Sequence, residues 1–385
     1  MRIPYFDYAA TAPADPRIIP AMTALLGLDG DFANPSSTLH APGRTAAAHI
    51  EAARAQVAAL LDADPREIVF TSGATEANNL AIKGLAERHP GGHIVTSAIE
   101  HDAVLAPCAQ LEARGWQVTR VTPRPSGDVE PDAIADALRP DTFLVSLMHA
   151  NNETGVINDI GTVGALCRAR SIAFHVDAAQ TAGALALDVR ALPVDLVSLS
   201  AHKFCGPKGI GALYLRRRAD LELEPQLHGG GQERGRRSGT LATHQIVGLG
   251  LACELVRCER EADAARIAAL RDRLWAGVSP LGGLHLNGAG APRLPGHLNL
   301  SVDGVGGEVL LQALAADLAI SGGSACHSAT LRPSHVLTAM GLPPALAQAS
   351  LRFSLGRFTT ADEIGTAIEA FTRTVTRLRG PGAER

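Results

Sequence analysis

The chain has 385 residues, 46% of them hydrophobic and 19% charged, the balance of a folded globular protein with a core able to bury roughly three quarters of its unfolded surface. A formal charge of -4 gives no bulk attraction to nucleic acid or to an acidic membrane. No apolar run approaches the roughly 20 residues that cross a bilayer, so neither nucleic acid nor membrane is expected as a partner.

The N-terminal stretch carries Asp7 where a secretory signal needs its apolar segment, and a cytoplasmic protein is expected. Next, Ile50, Ala53, Val57, Leu60 and Leu61 recur at spacings of three and four, which predicts an amphipathic helix. From about residue 65 to 215 short aliphatic runs alternate with helical patterns. Strands are predicted at Glu67–Thr71, His93–Ser97, Gln117–Val121, Phe143–His149, Ile172–Asp177, Asp195–Ser200 and Gly211–Leu215, with helices at Ala77–Arg88, Ala103–Arg114, Pro131–Leu138 and Thr162–Arg170. Such alternation predicts βαβ units and a mostly parallel sheet covered on both faces. A long helix over Leu241–Leu274 follows. Then His297–Val302, Val309–Leu314, Leu318–Ser321, Leu351–Ser354 and Asp362–Leu378 read as a small α+β unit. The expected organisation is a large α/β domain over 15–260 and a smaller one built from 1–14 and 261–385.

Ligands of open α/β sheets bind beyond the carboxyl ends of the strands. The polar residues there are Thr71–Thr75, Glu100 and His101, Asn151–Glu153, Asp177 with Gln180, and Ser200–Lys203. The run Ile68–Glu76 passes from a strand through Gly73 into a helix, which aims free amides and a helix dipole at an anion such as phosphate. An ordinary capped turn would read the same way. Only three lysines exist, Lys83, Lys203 and Lys208. Lys203 alone emerges at a strand end among Ser, His and Gly, where its amine can form a Schiff base with an aldehyde; a solvated lysine is the plain alternative. Asp177 ends an apolar strand, and a buried carboxylate there needs a cationic partner such as a pyridinium nitrogen, unless it merely caps a turn. Each signal alone is weak. Together they specify pyridoxal 5'-phosphate.

Six cysteines form no CxxC pair and read as reduced thiols. Cys108, Cys167, Cys253 and Cys258 fall in helical patterns that suit buried hydrophobes, whereas Cys326 lies in the Gly- and Ser-rich run Ile320–Ala329, where an accessible thiol can serve as a nucleophile. Esterase chemistry is disfavoured: His228-Gly-Gly-Gly231 resembles an oxyanion loop, but no GxSxG elbow accompanies it.

The stretches FTSGATEANNLAIKG, VSLMHANNETGVI, HVDAAQ, SLSAHKFCGPKGIGALYLRR, HGGGQERGRRSGT, SGGSAC and SLRFSLGRFTT, spread in order over nearly the whole chain, resemble the bacterial cysteine desulfurases of the NifS/IscS group in the class V aminotransferase superfamily. The resemblance implies a fold type I pyridoxal phosphate-dependent enzyme, a homodimer that moves sulfur from L-cysteine to Cys326 as a persulfide and releases L-alanine. It implies that Lys203 holds the cofactor, that Asp177 pairs with its ring nitrogen, and that His101 stacks on the ring as an acid–base group. Asn152 and Gln180 would meet the ring substituents. Ala74, Thr75, Ser200 and His202 would hold the phosphate, with Thr240 from the second subunit. Arg352 would clamp the substrate carboxylate, and Asn34 would lie near the substrate. No metal ligand is expected, and the implied acceptors are an iron–sulfur scaffold protein and other thio-acceptors. One departure is His327, which follows Cys326 where relatives usually carry a small hydroxyl residue; it is expected to be solvated. Selenocysteine lyase or class V aminotransferase activity on the same scaffold is the alternative.

Overall fold

The computed structural model describes residues 3–322 and 333–380. Cys326 and His327 lie outside the described residues. Seven strands form the larger sheet: β1 (Ile68–Thr71), β2 (His93–Ser97), β3 (Gln117–Val121), β4 (Thr142–Met148), β5 (Ala173–Asp177), β6 (Leu196–Ser200) and β7 (Gly211–Leu215). Their spatial order is β1-β7-β6-β5-β4-β2-β3. The pairs β2/β3, β2/β4, β4/β5 and β5/β6 are parallel, and β7 runs antiparallel to both β6 and β1. The expected mostly parallel sheet is therefore present, with one reversed strand. Continuous burial along β4, β5 and β6 is what a sheet covered on both faces demands. At the edge, β3 is partly exposed and its Arg120 pairs with Glu112, a charged edge that discourages pairing with another chain.

Two apolar layers cover this sheet. One joins Ile50 and Val57 of the helix Ala41–Leu60 to Val145, Phe174 and Leu249; the other joins Leu80 and Leu85 of the helix Ala74–Ala86 to Val69, Ile94 and Leu144. A third core lies under a second, antiparallel sheet of β8 (Leu284–Leu286), β9 (His297–Val302), β10 (Ser321–Gly322) and β11 (Ser350–Ser354), in the order β10-β11-β9-β8. Leu298, Leu300, Leu351 and Phe353 of that sheet pack against Ile364, Phe371 and Val375 of the helix Ala361–Arg379.

The helix Thr243–Val278 serves both parts: its first half contributes Ile246, Leu249 and Cys253 to the large core, and its second half contributes Ile267 and Leu274 to the small one. The N-terminal segment crosses back. Tyr5 and Asp7 bridge to Ala319 and Ser354, while Ala12 and Asp15 hydrogen-bond to His202 and Cys205.

Three sequence expectations shift here. Of the segment Leu318–Ser321 in the expected α+β unit only Ser321 joins a strand, β10, because Ala319 pairs with Pro4 and Phe6 rather than with a strand of the sheet. Gly-rich residues 277–290 hide β8, whose three residues are too few to show a period. Cys258 is exposed on the long helix, unlike Cys108, Cys167 and Cys253, because the helix has left the large core by that point.

Candidate active site

Every parallel strand of the large sheet delivers its carboxyl end to one rim, and the rim opens on a cavity of about 490 Å³, within the range of small-molecule sites. Around it stand Ala74 and Thr75 after β1, His101 after β2, Asn152 after β4, Asp177 and Gln180 after β5, and Ser200, His202 and Lys203 after β6. The strand-end residues read from the sequence thus converge.

Beyond β1 the helix Ala74–Ala86 starts from Gly73, which has no side chain to cap it. Gly73 holds φ 151°, a backbone state that only glycine adopts readily. Close packing drives that choice next door, where a Cβ on Gly211 would come within 2.3 Å of the Leu199 carbonyl oxygen and 2.7 Å of the Gly73 Cα. The uncapped first turn therefore presents backbone N–H groups and the positive end of the helix dipole to the cavity.

On β5, Asp177 is buried, and its carboxylate accepts from Asn78 Nδ2 at 2.7 Å and from the Ala179 amide at 2.9 Å. These two donors hold a carboxylate at the cavity floor. His101 caps the helix Asp102–Glu112, its Nδ1 accepting from the Ala103 amide at 3.0 Å. Burial, helped by Lys203 and opposed by Asp177, holds the imidazole below its ordinary range. A neutral ring whose Nδ1 accepts must carry its proton on Nε2.

Lys203 ends a short 3-10 turn after β6. Its Nζ donates to the carbonyls of Ala9 at 2.6 Å and Ala10 at 2.9 Å. Gln180 Nε2 also donates to the Ala9 carbonyl, at 3.0 Å. Burial, reinforced by Lys203 and Lys208, pushes His202 down to about 4, so at neutral pH it is an uncharged hydrogen-bonding group, with Nδ1 3.1 Å from the Thr11 hydroxyl.

Arg352 reaches toward this region from β11. It is 1% exposed, donates from one terminal nitrogen to the Asn152 carbonyl at 2.9 Å, and pairs through the other with Asp7 at 2.7 Å. Asn34 and Thr240 are exposed and line no part of the cavity in the single chain.

Sequence reasoning missed the N-terminal segment, where Asp7 entered only as an argument against secretion. It also passed over two buried carboxyls among the strand-end residues. Glu100 accepts from the Ser97 hydroxyl at 2.6 Å and the Met148 amide at 2.9 Å, and burial pushes it up to about 8. Burial likewise pushes Glu153 up to about 7, against the opposing pull of a hydrogen bond from Ser334 and of the Arg352 charge.

Comparison with known proteins identifies the family. The family model for class V aminotransferases matches residues 4–366. A curated relative from Shewanella woodyi named cysteine desulfurase IscS is 55% identical over 98% of this chain and 94% of its own length; one from Shewanella sp. is 53% identical over the same shares. Among solved structures, a NifS-like protein superposes with a TM-score of 0.89 at 35% identity, covering 97% of this chain and 99% of that one. SspA in complex with cysteine superposes at 0.83 with 39% identity, covering 93% and 100%. With a family match over nearly its whole length and relatives this similar, the chain belongs to the class V aminotransferase family, on the branch of the IscS cysteine desulfurases.

Proposed function

We propose that this protein is a pyridoxal 5'-phosphate-dependent cysteine desulfurase, converting L-cysteine to L-alanine and collecting the sulfur on Cys326 as a persulfide. The observation that carries the reading is the convergence of an amine, a buried carboxylate and an uncapped helix N-terminus on one cavity, Lys203, Asp177 and Ala74 among its walls. That donor set fits a phosphorylated pyridine aldehyde. The N–H groups of Ala74 and Thr75 with the groups of Ser200 and His202 suit a phosphate, Asp177 suits a protonated ring nitrogen, and Lys203 suits the aldehyde. His101, Asn152 and Gln180 would flank the ring. When bound, pyridoxal phosphate supplies an electron sink for charge developing at the substrate Cα.

The chain's own residues do the rest. Arg352 offers a rigid planar fork to the substrate carboxylate. Lys203, whose amine lines the cavity, would carry the Cα proton. His101, neutral with its proton on Nε2, can donate there without adding charge. Cys326 attacks the substrate sulfur as a thiolate. The C–S bond of cysteine breaks as an S–S bond forms, so cysteine plus thiol gives alanine plus persulfide without outside oxidant or reductant. An iron–sulfur scaffold protein and other thio-acceptors would then take the sulfur in the cytoplasm. Thr240 and Asn34, exposed here, would contribute across a homodimer. We place the domain division at residues 15–260 against 1–14 and 261–385: Phe6 and residues of 267–375 supply the core under the small sheet, while Val336, Leu337, Met340 and Ala347 pack across the division into the large core.

The test is alanine and sulfide release from L-cysteine with dithiothreitol, together with absorbance spectra, for wild type and Cys326→Ala. Both should be yellow, and only wild type should turn over. Full activity in the variant would replace this reading with an aminotransferase or a selenocysteine lyase.

A further inference from the structure

Arg352 is buried on the small sheet and reaches Asn152 on the wall of the strand-end cavity, and a buried guanidinium holds a fixed direction only if its donors are engaged. Here one terminal nitrogen is held by the Asn152 carbonyl at 2.9 Å and the other by Asp7 Oδ1 at 2.7 Å, while Nε has no hydrogen-bond partner among the described residues. The same Asp7 oxygen accepts from the Ser321 hydroxyl at 2.8 Å. Ser321 is the residue opposite Arg352 in the pairing of β10 with β11, so Asp7 spans both strands. Its backbone is fixed as well. Asp7 bridges to Ser354, two residues along β11 from Arg352; the Tyr8 amide donates to the Ser354 carbonyl, and the Ser354 amide donates to the Phe6 carbonyl. Two and three residues after Asp7, the carbonyls of Ala9 and Ala10 take the Lys203 amine.

Building on the proposed desulfurase reading, we infer that Asp7 is a positioning residue for carboxylate recognition: it aims the Arg352 fork at the α-carboxylate of the amino-acid substrate. The segment Asp7–Ala10 thereby sets both ends of that substrate, the carboxylate through Arg352 and the amine side through Lys203. A carboxylate fits this task better than an amide because it is acceptor-only, so it can hold the guanidinium and the serine hydroxyl together without offering a competing donor. It works through Arg352 and touches no reacting atom.

The experiment compares kcat and KM for L-cysteine and for its methyl ester, which lacks the carboxylate, in Asp7→Asn, Ser321→Ala and Arg352→Lys holoenzymes. Cofactor absorbance and Tm are recorded for each. Asp7→Asn should raise KM for L-cysteine by about ten- to a hundredfold, the range of a lost charge-assisted hydrogen bond, with kcat changed far less. The ester should respond within about threefold. Ser321→Ala, a milder change that keeps the strand pair, should shift the same acid-to-ester ratio in the same direction, and it carries the test if Asp7→Asn does not fold. Equal losses for acid and ester would make Asp7 merely structural and overturn the inference. A lower KM for L-cysteine in Asp7→Asn would overturn it too, by showing a competitor for Arg352. If Arg352→Lys leaves the acid-to-ester ratio at the wild-type value, the assignment of Arg352 itself fails, and this inference with it. Loss of the ratio in Arg352→Lys but not in either other variant would sink the Asp7 role alone.

Discussion

Glu100 stands immediately before His101, fully buried, with one oxygen satisfied by Ser97 and Met148 and the other without a hydrogen-bond partner among the described residues. Burial is the largest cause of its rise to about 8, and the nearby Asp177 charge adds to it. An unfolded glutamate titrates near 4.3, so between roughly pH 4.5 and 8 the folded chain binds a proton that the unfolded chain has lost. Stability attributable to this group is therefore complete at low pH and drains away as pH rises through that window. Glu100→Gln keeps an acceptor for both donors but cannot ionise. Its Tm should stay near that of wild type at pH 5 and exceed it at pH 8; parallel Tm curves from pH 5 to 9 would contradict the assignment. Glu153 follows the same logic on the other side of the site, beside Arg352 and Ser334. These carboxyls were visible as letters in the sequence. Their protonation was not, because it depends on which strands pack around them.

The turn between β1 and the helix Ala74–Ala86 shows what one backbone angle can control. At Gly73 an added Cβ would find open space, its nearest neighbour being the Ser200 Oγ at 3.5 Å, so the obstacle to a side chain is the φ of 151° alone. Holding a non-glycine residue in that region costs on the order of 1–3 kcal/mol. Gly73→Ala should relax the turn, tilt the exposed amides away from the cavity, and weaken retention of pyridoxal phosphate by about tenfold or more. Dialysis followed by absorbance would read this, and full retention with an unchanged Tm would show that the turn carries no strain. The glycine was legible as a strand-to-helix junction. That it sits against Gly211, leaving no space for a side chain on that strand, came only from the reversed neighbour β7.

Across the whole molecule, an ion-pair network centred on the buried Asp15 ties the N-terminal segment, the long helix and the C-terminal part together. Asp15 pairs with Arg17 and Arg357 at 2.8 and 2.9 Å; Arg17 continues to Glu259, and Arg357 to Asp263. The hydrogen bonds from Arg17 are the largest cause that holds Asp15 well below the usual carboxylate range. A depressed carboxyl contributes stability above its unfolded value near 4 and loses that contribution as pH falls toward the folded one. The Asp15 side chain is almost wholly buried, while Arg17 keeps Glu259 and Arg357 keeps Asp263 when it is removed, so Asp15→Asn should cost about 1.5 kcal/mol at pH 7, the loss of charge-assisted hydrogen bonds rather than of a stranded charge. In urea denaturation the gap from wild type should shrink below about pH 4. A constant gap from pH 7 to 3 would rule the pairing out as its source.

Sequence alone determined the alternation of strands and helices, the expected sheet, and the strand-end residues with chemistry: Lys203, Asp177, His101 and the Gly73 turn. Each is a local property, a hydrophobic period or a polar residue ending an apolar run, and local properties survive in one dimension. The tertiary structure decided which groups share a cavity, that β7 runs backwards between β1 and β6, and that Asp7 meets Arg352 across 345 positions. It also decided that the carboxyls of Glu100 and Glu153 keep their protons to a higher pH than free ones. Those outcomes depend on distance and burial, and both are set by packing between segments that no spacing in the sequence relates.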